Sequence, residues 1–145
     1  MIPPFNSDDN LPAGIHLTDW NTFSVAFGVS ARRSQLISGL AAAMVPLRQA
    51  GCNRLYIDGS FVTAKVVPND YDVAWDPLGV DLLLLKSLEP LFFDFANSRA
   101  AQKAKFFGEF FPSSQPAEPA GRTFLEFFQV DKNTGKQKGI VALDL

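Results

Sequence analysis

The sequence predicts an α/β (α+β) fold: a small mixed sheet with helices packed on it. Three observations carry this. Asn53–Asp58 and Asp70–Trp75 alternate apolar and polar residues as half-buried strands do. Phe106–Phe111 is rich in β-forming aromatics and stops at Pro112. Between and before these runs, apolar residues recur at helical spacing, the arrangement in which helices cover a sheet.

A chain of 145 residues is the size of one domain, here residues 1–145 with 1–17 as an extended N-terminal arm. Hydrophobic content of 47% against 19% charged marks an ordered globular chain. A net charge of −2 supplies no general basic field for a nucleic-acid backbone. The single cysteine, Cys52, and single histidine, His16, exclude an intrachain disulfide and a zinc site of several Cys and His. Cys52 reads as a small buried residue at the start of a strand and fits a reducing cytoplasm. The start MIPPFNSDDN lacks the basic and apolar regions of an export signal, and apolar runs such as Leu82–Leu85 are too short for a bilayer. The expected location is cytoplasmic, with no membrane partner.

Residues 1–17 are rich in Pro, Asn, Asp and Gly, with Ile2, Phe5, Leu11 and Ile15 as points where the arm packs on the body. Thr18 is a candidate cap for a short helix carrying Trp20, Phe23 and Phe27 and ended by Gly28. Ser30 caps a second helix running to about Ala50, with Leu36, Ile37, Leu40, Met44 and Leu47 on one face, Pro46 distorting its last turn and Gly51 ending it. Arg32 and Arg33 in its first turn read as a solvated pair.

The strand ending at Asp58 runs directly into Gly59-Ser60. Phe61–Ala64 suits a short helical segment whose N-terminus favours anions. The second strand places Asp70, Asp72 and Ala74 on one face and Tyr71, Val73 and Trp75 on the other, after which Asp76-Pro77 breaks it. From Gly79 to about Lys105 the chain reads helical with an interruption near Pro90. Val80, Leu83 and Leu84 make one apolar face, and Asn97 or Ser98 caps the renewed helix. Arg99, Lys103 and Lys105 read as a solvated face. After the third strand, Ser113–Gly121 is a loop expected to be mobile and beside the site. Arg122–Val130 reads as a packing helix, Asp131–Lys138 as a polar turn and Gly139–Leu145 as a terminal strand. Lys132, Lys136 and Lys138 suit a soluble loop, or an RNA contact.

The chemistry concentrates between Gly59 and Asp76. Asp70 and Asp72 lie about 7 Å apart along one strand face, so placed that they can share divalent cations. Mg²⁺ is usually held by one or two carboxylates together with substrate phosphates. The Gly59-Ser60 turn supplies close backbone approach and a hydroxyl for phosphate oxygens. Together these groups suit a nucleoside triphosphate with Mg²⁺.

Gly-Ser followed at this distance by Asp-x-Asp resembles the nucleotidyltransferase superfamily, in particular the minimal, polymerase-beta-like enzymes of bacteria. Beyond those fourteen residues, the segments LPAGIH, GCNRLYIDGSF, NDYDVAWD, QKAKFFGEFFP and FFQVDKNTGKQKGIVALDL resemble an uncharacterised bacterial and mobile-element family of nucleotidyltransferase-like proteins. The resemblance implies a nucleotidyltransferase-like sheet. It also implies Asp70 and Asp72 as catalytic metal ligands, Gly59 and Ser60 as nucleotide-binding residues, and Glu109 as a third carboxylate on the neighbouring strand. Glu109 would accept a proton from an incoming hydroxyl, although it could instead face solvent on an edge strand. Lys65 would reach the triphosphate or remain solvated.

Two functions follow. One is an Mg²⁺-dependent transferase moving a nucleoside monophosphate from a nucleoside triphosphate to a protein or RNA hydroxyl, within a toxin-antitoxin or phage-defence module. The other is an inactive binding module of the same fold, antitoxin-like, acting on a protein partner of a two-gene module. Convergence of Glu109 with Asp70 and Asp72 separates them. A hydrolase built on His16 has no identifiable serine partner, and the Gly59 turn lacks the Gly-Lys-Ser/Thr of a Walker loop.

Overall fold

In a computed structural model that describes residues 2–145, five strands form one mixed sheet. They are β1 (Gly14–Thr18), β2 (Arg54–Asp58), β3 (Tyr71–Trp75), β4 (Gly108–Pro112) and β5 (Gly139–Asp144), in the order β1-β5-β2-β3-β4. The β1–β5 and β3–β4 pairs are parallel, whereas β2 runs antiparallel to both β3 and β5. Five helices accompany the sheet: α1 (Trp20–Phe27), α2 (Ala31–Gln49), α3 (Leu82–Leu88), α4 (Ala96–Phe106) and α5 (Phe124–Phe128). This is the mixed α/β architecture the strand and helix patterns predict.

Strand alternation sends side chains to opposite faces, and the two faces differ here. Leu55, Ile57, Tyr71, Val73, Trp75, Phe110, Val141 and Leu143 join the large core under α1–α4. Tyr56, Ala74, Phe111, Ile140 and Ala142 face the other way and form a smaller cluster with Phe128, against which Phe124 and Leu125 pack. The short α5 covers that second face.

The arm departs from expectation at its end. Gly14–Thr18 is a strand, parallel to β5 at the sheet edge, and Thr18 is its last residue. The cap of α1 is accordingly Asp19, whose carboxylate accepts from the Thr22 amide at 2.8 Å. Leu11 is fully buried, as the packing of the arm required, while Phe5 and Ile15 stay largely exposed. Met1 lies outside the described residues.

Ser30 caps α2 by accepting from the Arg33 amide, and Leu36, Leu40, Ala43, Met44 and Leu47 form its buried stripe. Of the Arg32–Arg33 pair, Arg33 is not solvated and Arg32 is half-buried. Arg33 is 4% exposed and donates to the carbonyls of Phe27, Phe61, Thr63 and Lys65. Arg32 donates to the carbonyls of Pro68 and Asn69. Both arginines therefore staple the segment joining β2 to β3.

In the 79–105 region Asp81 caps α3 through the Leu84 amide at 3.0 Å, and Leu85, not Leu83 or Leu84, is the buried leucine. Asn97 and Ser98 do not cap α4: with Arg99 they take left-handed backbone angles. Arg99 is half-buried and lies over the rings of Phe95 and Phe111, at 4.6 and 4.1 Å, a cation–π arrangement. Buried Gln102 ties α4 to β4 by accepting from the Phe110 amide at 2.9 Å. A capping box of Thr123 and Glu126 opens α5. Among the described residues no helix is long and apolar enough to cross a membrane.

Candidate functional site

β2 carries Leu55 and Ile57 into the large core, which leaves Tyr56 and Asp58 on the α5 face. At its end Gly59 adopts φ +93° and ψ −178°, a region open essentially to glycine alone. The chain then makes a 3₁₀ turn over Ser60–Val62, anchored by buried Phe61 and Val62. Thr63 closes the turn through its hydroxyl, 2.6 Å from the Ser60 carbonyl. A Cβ built on Gly59 would stand 3.3 Å from the Asp72 amide and 3.5 Å from its carboxylate, so the turn lies directly against Asp72.

The sheet register aligns three acids. Asp58 on β2 is opposite Asp72 on β3, and Asp72 is in register with Glu109 on β4. All three occupy the α5 face, and Asp70, two residues before Asp72, shares it by alternation. Side chains directly opposite in a sheet are about 4.5–5.5 Å apart at Cβ, and like charges so placed repel.

The electrostatics follow from that row. Burial, and after it the charges of Asp58, Asp70 and Glu109, push the Asp72 carboxyl up to about 7. Asp58 is 6% exposed, and its burial raises its carboxyl despite the attraction of Lys138. Asp70 is raised by burial and then by Glu109. Lys138 pairs with Asp58 at 2.7 Å and Lys103 with Glu109 at 3.1 Å. Among the described residues Asp70 and Asp72 have no ion-pair partner.

A cavity of about 520 Å³ opens beside this row. One wall is the sequence-predicted set Gly59, Ser60, Lys65, Asp70 and Asp72, joined by Asp58. More of the lining comes from the end of α5 and the segment after it, including Phe127, Lys132 and Lys138. Asp8 and Asn10 of the arm also line it, and Asn10 donates to Asp131 at 3.1 Å. Lys65 is exposed; its backbone is held at the carbonyl by Arg33 and at the amide by the Thr63 hydroxyl. Glu109 shares the carboxylate row but does not line the cavity, and Lys103 holds it. The Ser113–Gly121 loop supplies none of the wall.

Among the described residues no group of three or more His, Cys, Asp and Glu side chains converges to hold a metal by protein ligands alone. Mg²⁺ does not require one, since substrate phosphates and water complete its octahedron. The donor set suits it. Asp70 and Asp72 offer carboxylate oxygens without an ion-pair partner among the described residues, and a positive charge beside the row would relieve its mutual repulsion.

Asp58 and Lys138 escaped the sequence reading. Alternation in Arg54–Asp58 does place Asp58 opposite Leu55 and Ile57, but the register that sets it beside Asp72 has no signature in one strand. Lys138 stands two residues before Ile140, hence on the same face, in a segment whose polarity reads as a turn. His16 bonds the Pro12 carbonyl through Nε2 at 2.6 Å and takes no part in the cavity. Cys52 is buried, and burial pushes its thiol up to about 11, as suits an inert core residue.

No curated protein and no solved structure matches the chain. Residues 3–144, nearly its whole length, match the Family of unknown function (DUF6932), and the chain belongs to that family.

Proposed function

We propose that this protein is an Mg²⁺-dependent nucleotidyltransferase, moving a nucleoside monophosphate from a nucleoside triphosphate to a hydroxyl on a protein or an RNA. The observation that carries the reading is the pairing of two unpartnered carboxylates, Asp70 and Asp72, with the Gly59-Ser60 turn on one wall of a nucleotide-sized cavity. Backbone amides of the turn and the Ser60 hydroxyl donate to phosphate oxygens. Lys65 and Lys132, both exposed on the walls, neutralise the triphosphate. Asp70 and Asp72 would hold Mg²⁺, which when bound supplies charge neutralisation at the phosphoryl oxygens.

In the transfer the acceptor hydroxyl oxygen bonds to the α-phosphorus and the bond to the β-phosphate oxygen breaks, releasing pyrophosphate. The hydroxyl proton passes to a carboxylate, for which Glu109 is the candidate once Lys103 yields. The protein's contribution is positioning and fixed charge rather than a covalent intermediate.

A second reading has one observation in its favour. Glu109 is held by Lys103 outside the cavity wall, as befits a module that binds a protein partner, such as an antitoxin-like component, without catalysing transfer. Calorimetric titration of each of the four nucleoside triphosphates, with and without Mg²⁺, decides the point. Mg²⁺-dependent binding that is lost in Asp70→Asn/Asp72→Asn supports the transferase. A folded wild-type protein that binds none of the four favours the partner-binding module.

A further inference from the structure

Asp58 and Lys138 form, among the described residues, the one ion pair with both members on the cavity wall. Asp58 sits at the end of β2, 6% exposed and opposite Asp72. Lys138 reaches it from the residue before β5, its side chain 17% exposed. A buried carboxylate is costly to keep charged, and a paired cation offsets that cost. A lysine meets that need with a compact charge on a flexible stem, free to turn to another anion nearby.

We propose that Lys138 is an exchangeable counter-ion that couples metal binding to nucleotide binding. In the free protein it neutralises Asp58 beside Asp72. When a triphosphate carrying its divalent cation enters, the ammonium turns to a phosphate oxygen and leaves the Asp58 charge unpaired beside Asp72. The inference rests on the nucleotidyltransferase reading and adds a consequence to it. Lys138 opposes a divalent cation that arrives alone, by occupying Asp58 and repelling positive charge, and favours one that arrives with phosphate. A lysine that only held the fold together would weaken both ligands when removed.

The test is titration of Mn²⁺ alone, and separately of the four nucleoside triphosphates with Mg²⁺, into wild type, Lys138→Met and Lys138→Arg. Mn²⁺ shares the preference for oxygen ligands. Lys138→Met is expected to bind Mn²⁺ about tenfold more tightly and the nucleotide about tenfold more weakly, the scale of one charge-assisted contact. Lys138→Arg keeps the pair and grips the carboxylate with a fork, so nucleotide affinity stays within about threefold while Mn²⁺ alone binds more weakly. That second variant decides the matter if Lys138→Met does not fold. Equal weakening of both ligands in Lys138→Met, or unchanged Mn²⁺ affinity in Lys138→Arg, overturns the inference and leaves the transferase reading standing. A wild type that binds neither ligand overturns both.

Discussion

Asp72 lies between Asp58 and Glu109 in the sheet register and two residues from Asp70, and its carboxyl stands at about 7 against an ordinary value of 3.8. Between about pH 4 and 7 the folded protein therefore holds a proton that the unfolded chain has released. Stability contributed at this residue is present at the low end of that window and is lost as pH rises through 7. Asp58 and Asp70, also raised, act in the same direction. The lowered carboxyls of Asp19, Glu118, Glu126 and Asp131 act in the opposite sense, and only below their ordinary values of 3.8 to 4.5. Thermal melts in EDTA from about pH 5 to 8 should show a falling melting temperature. Asp72→Asn should flatten that fall and melt higher than wild type at about pH 8, while an unchanged slope would remove Asp72 as its cause.

Among the elements, the segment between β2 and β3 is the one whose shape the site depends on, and α2 holds it. Among the described residues Arg33 meets no carboxylate. Its guanidinium is distributed over the carbonyls of Phe27, Phe61, Thr63 and Lys65 and lies 5.1 Å from the Phe61 ring. Replacing it by methionine leaves those carbonyls unpaired, and Arg33→Met should cost about 2–4 kcal/mol in urea unfolding. Arg33→Lys should recover little, because an ammonium lacks the fork that reaches several carbonyls; full recovery would show that charge alone suffices. The sequence contains the clue, since Arg33 precedes Leu36 by three and Leu40 by seven and so falls on the buried stripe of α2. Charge suggests exposure there, and periodicity is the better guide. Other elements were legible for the same local reasons: Ser30 as a cap, Gly59 as a turn, the alternation that sets Asp70 and Asp72 together. What local pattern does not contain is pairing. Ile15 and Leu17 alternate as a strand does, yet β1 exists through β5, more than a hundred residues away. The Asp58–Asp72–Glu109 row likewise exists only once three strands are in register.

At the scale of the whole molecule, the sheet divides two unequal cores. The face under α1–α4 includes Phe23, Leu36, Leu40, Leu47 and Phe106 from the helices, and Phe92 from the turn between α3 and α4, all at most 1% exposed. On the other face Phe128 is, among the described residues, the one buried helical residue, and α5 is five residues long. A helix that short has little stability of its own and depends on its capping box and on Phe124 and Phe128 against Phe111. The cavity opens on this weaker side, with Phe127, Phe128 and Val130 in its wall. Local opening takes place where few apolar contacts resist it. Amide hydrogen exchange should therefore find residues 124–138 exchanging at least about tenfold faster than the buried turns of α2 around Leu40–Leu47, whose exchange follows global unfolding. A nucleoside triphosphate seated in the cavity would slow exchange across 127–138 while leaving α2 unaltered. Equal protection on both faces of the ligand-free protein would instead mean that the sheet and both its layers open as one unit, with access to the cavity governed by global stability.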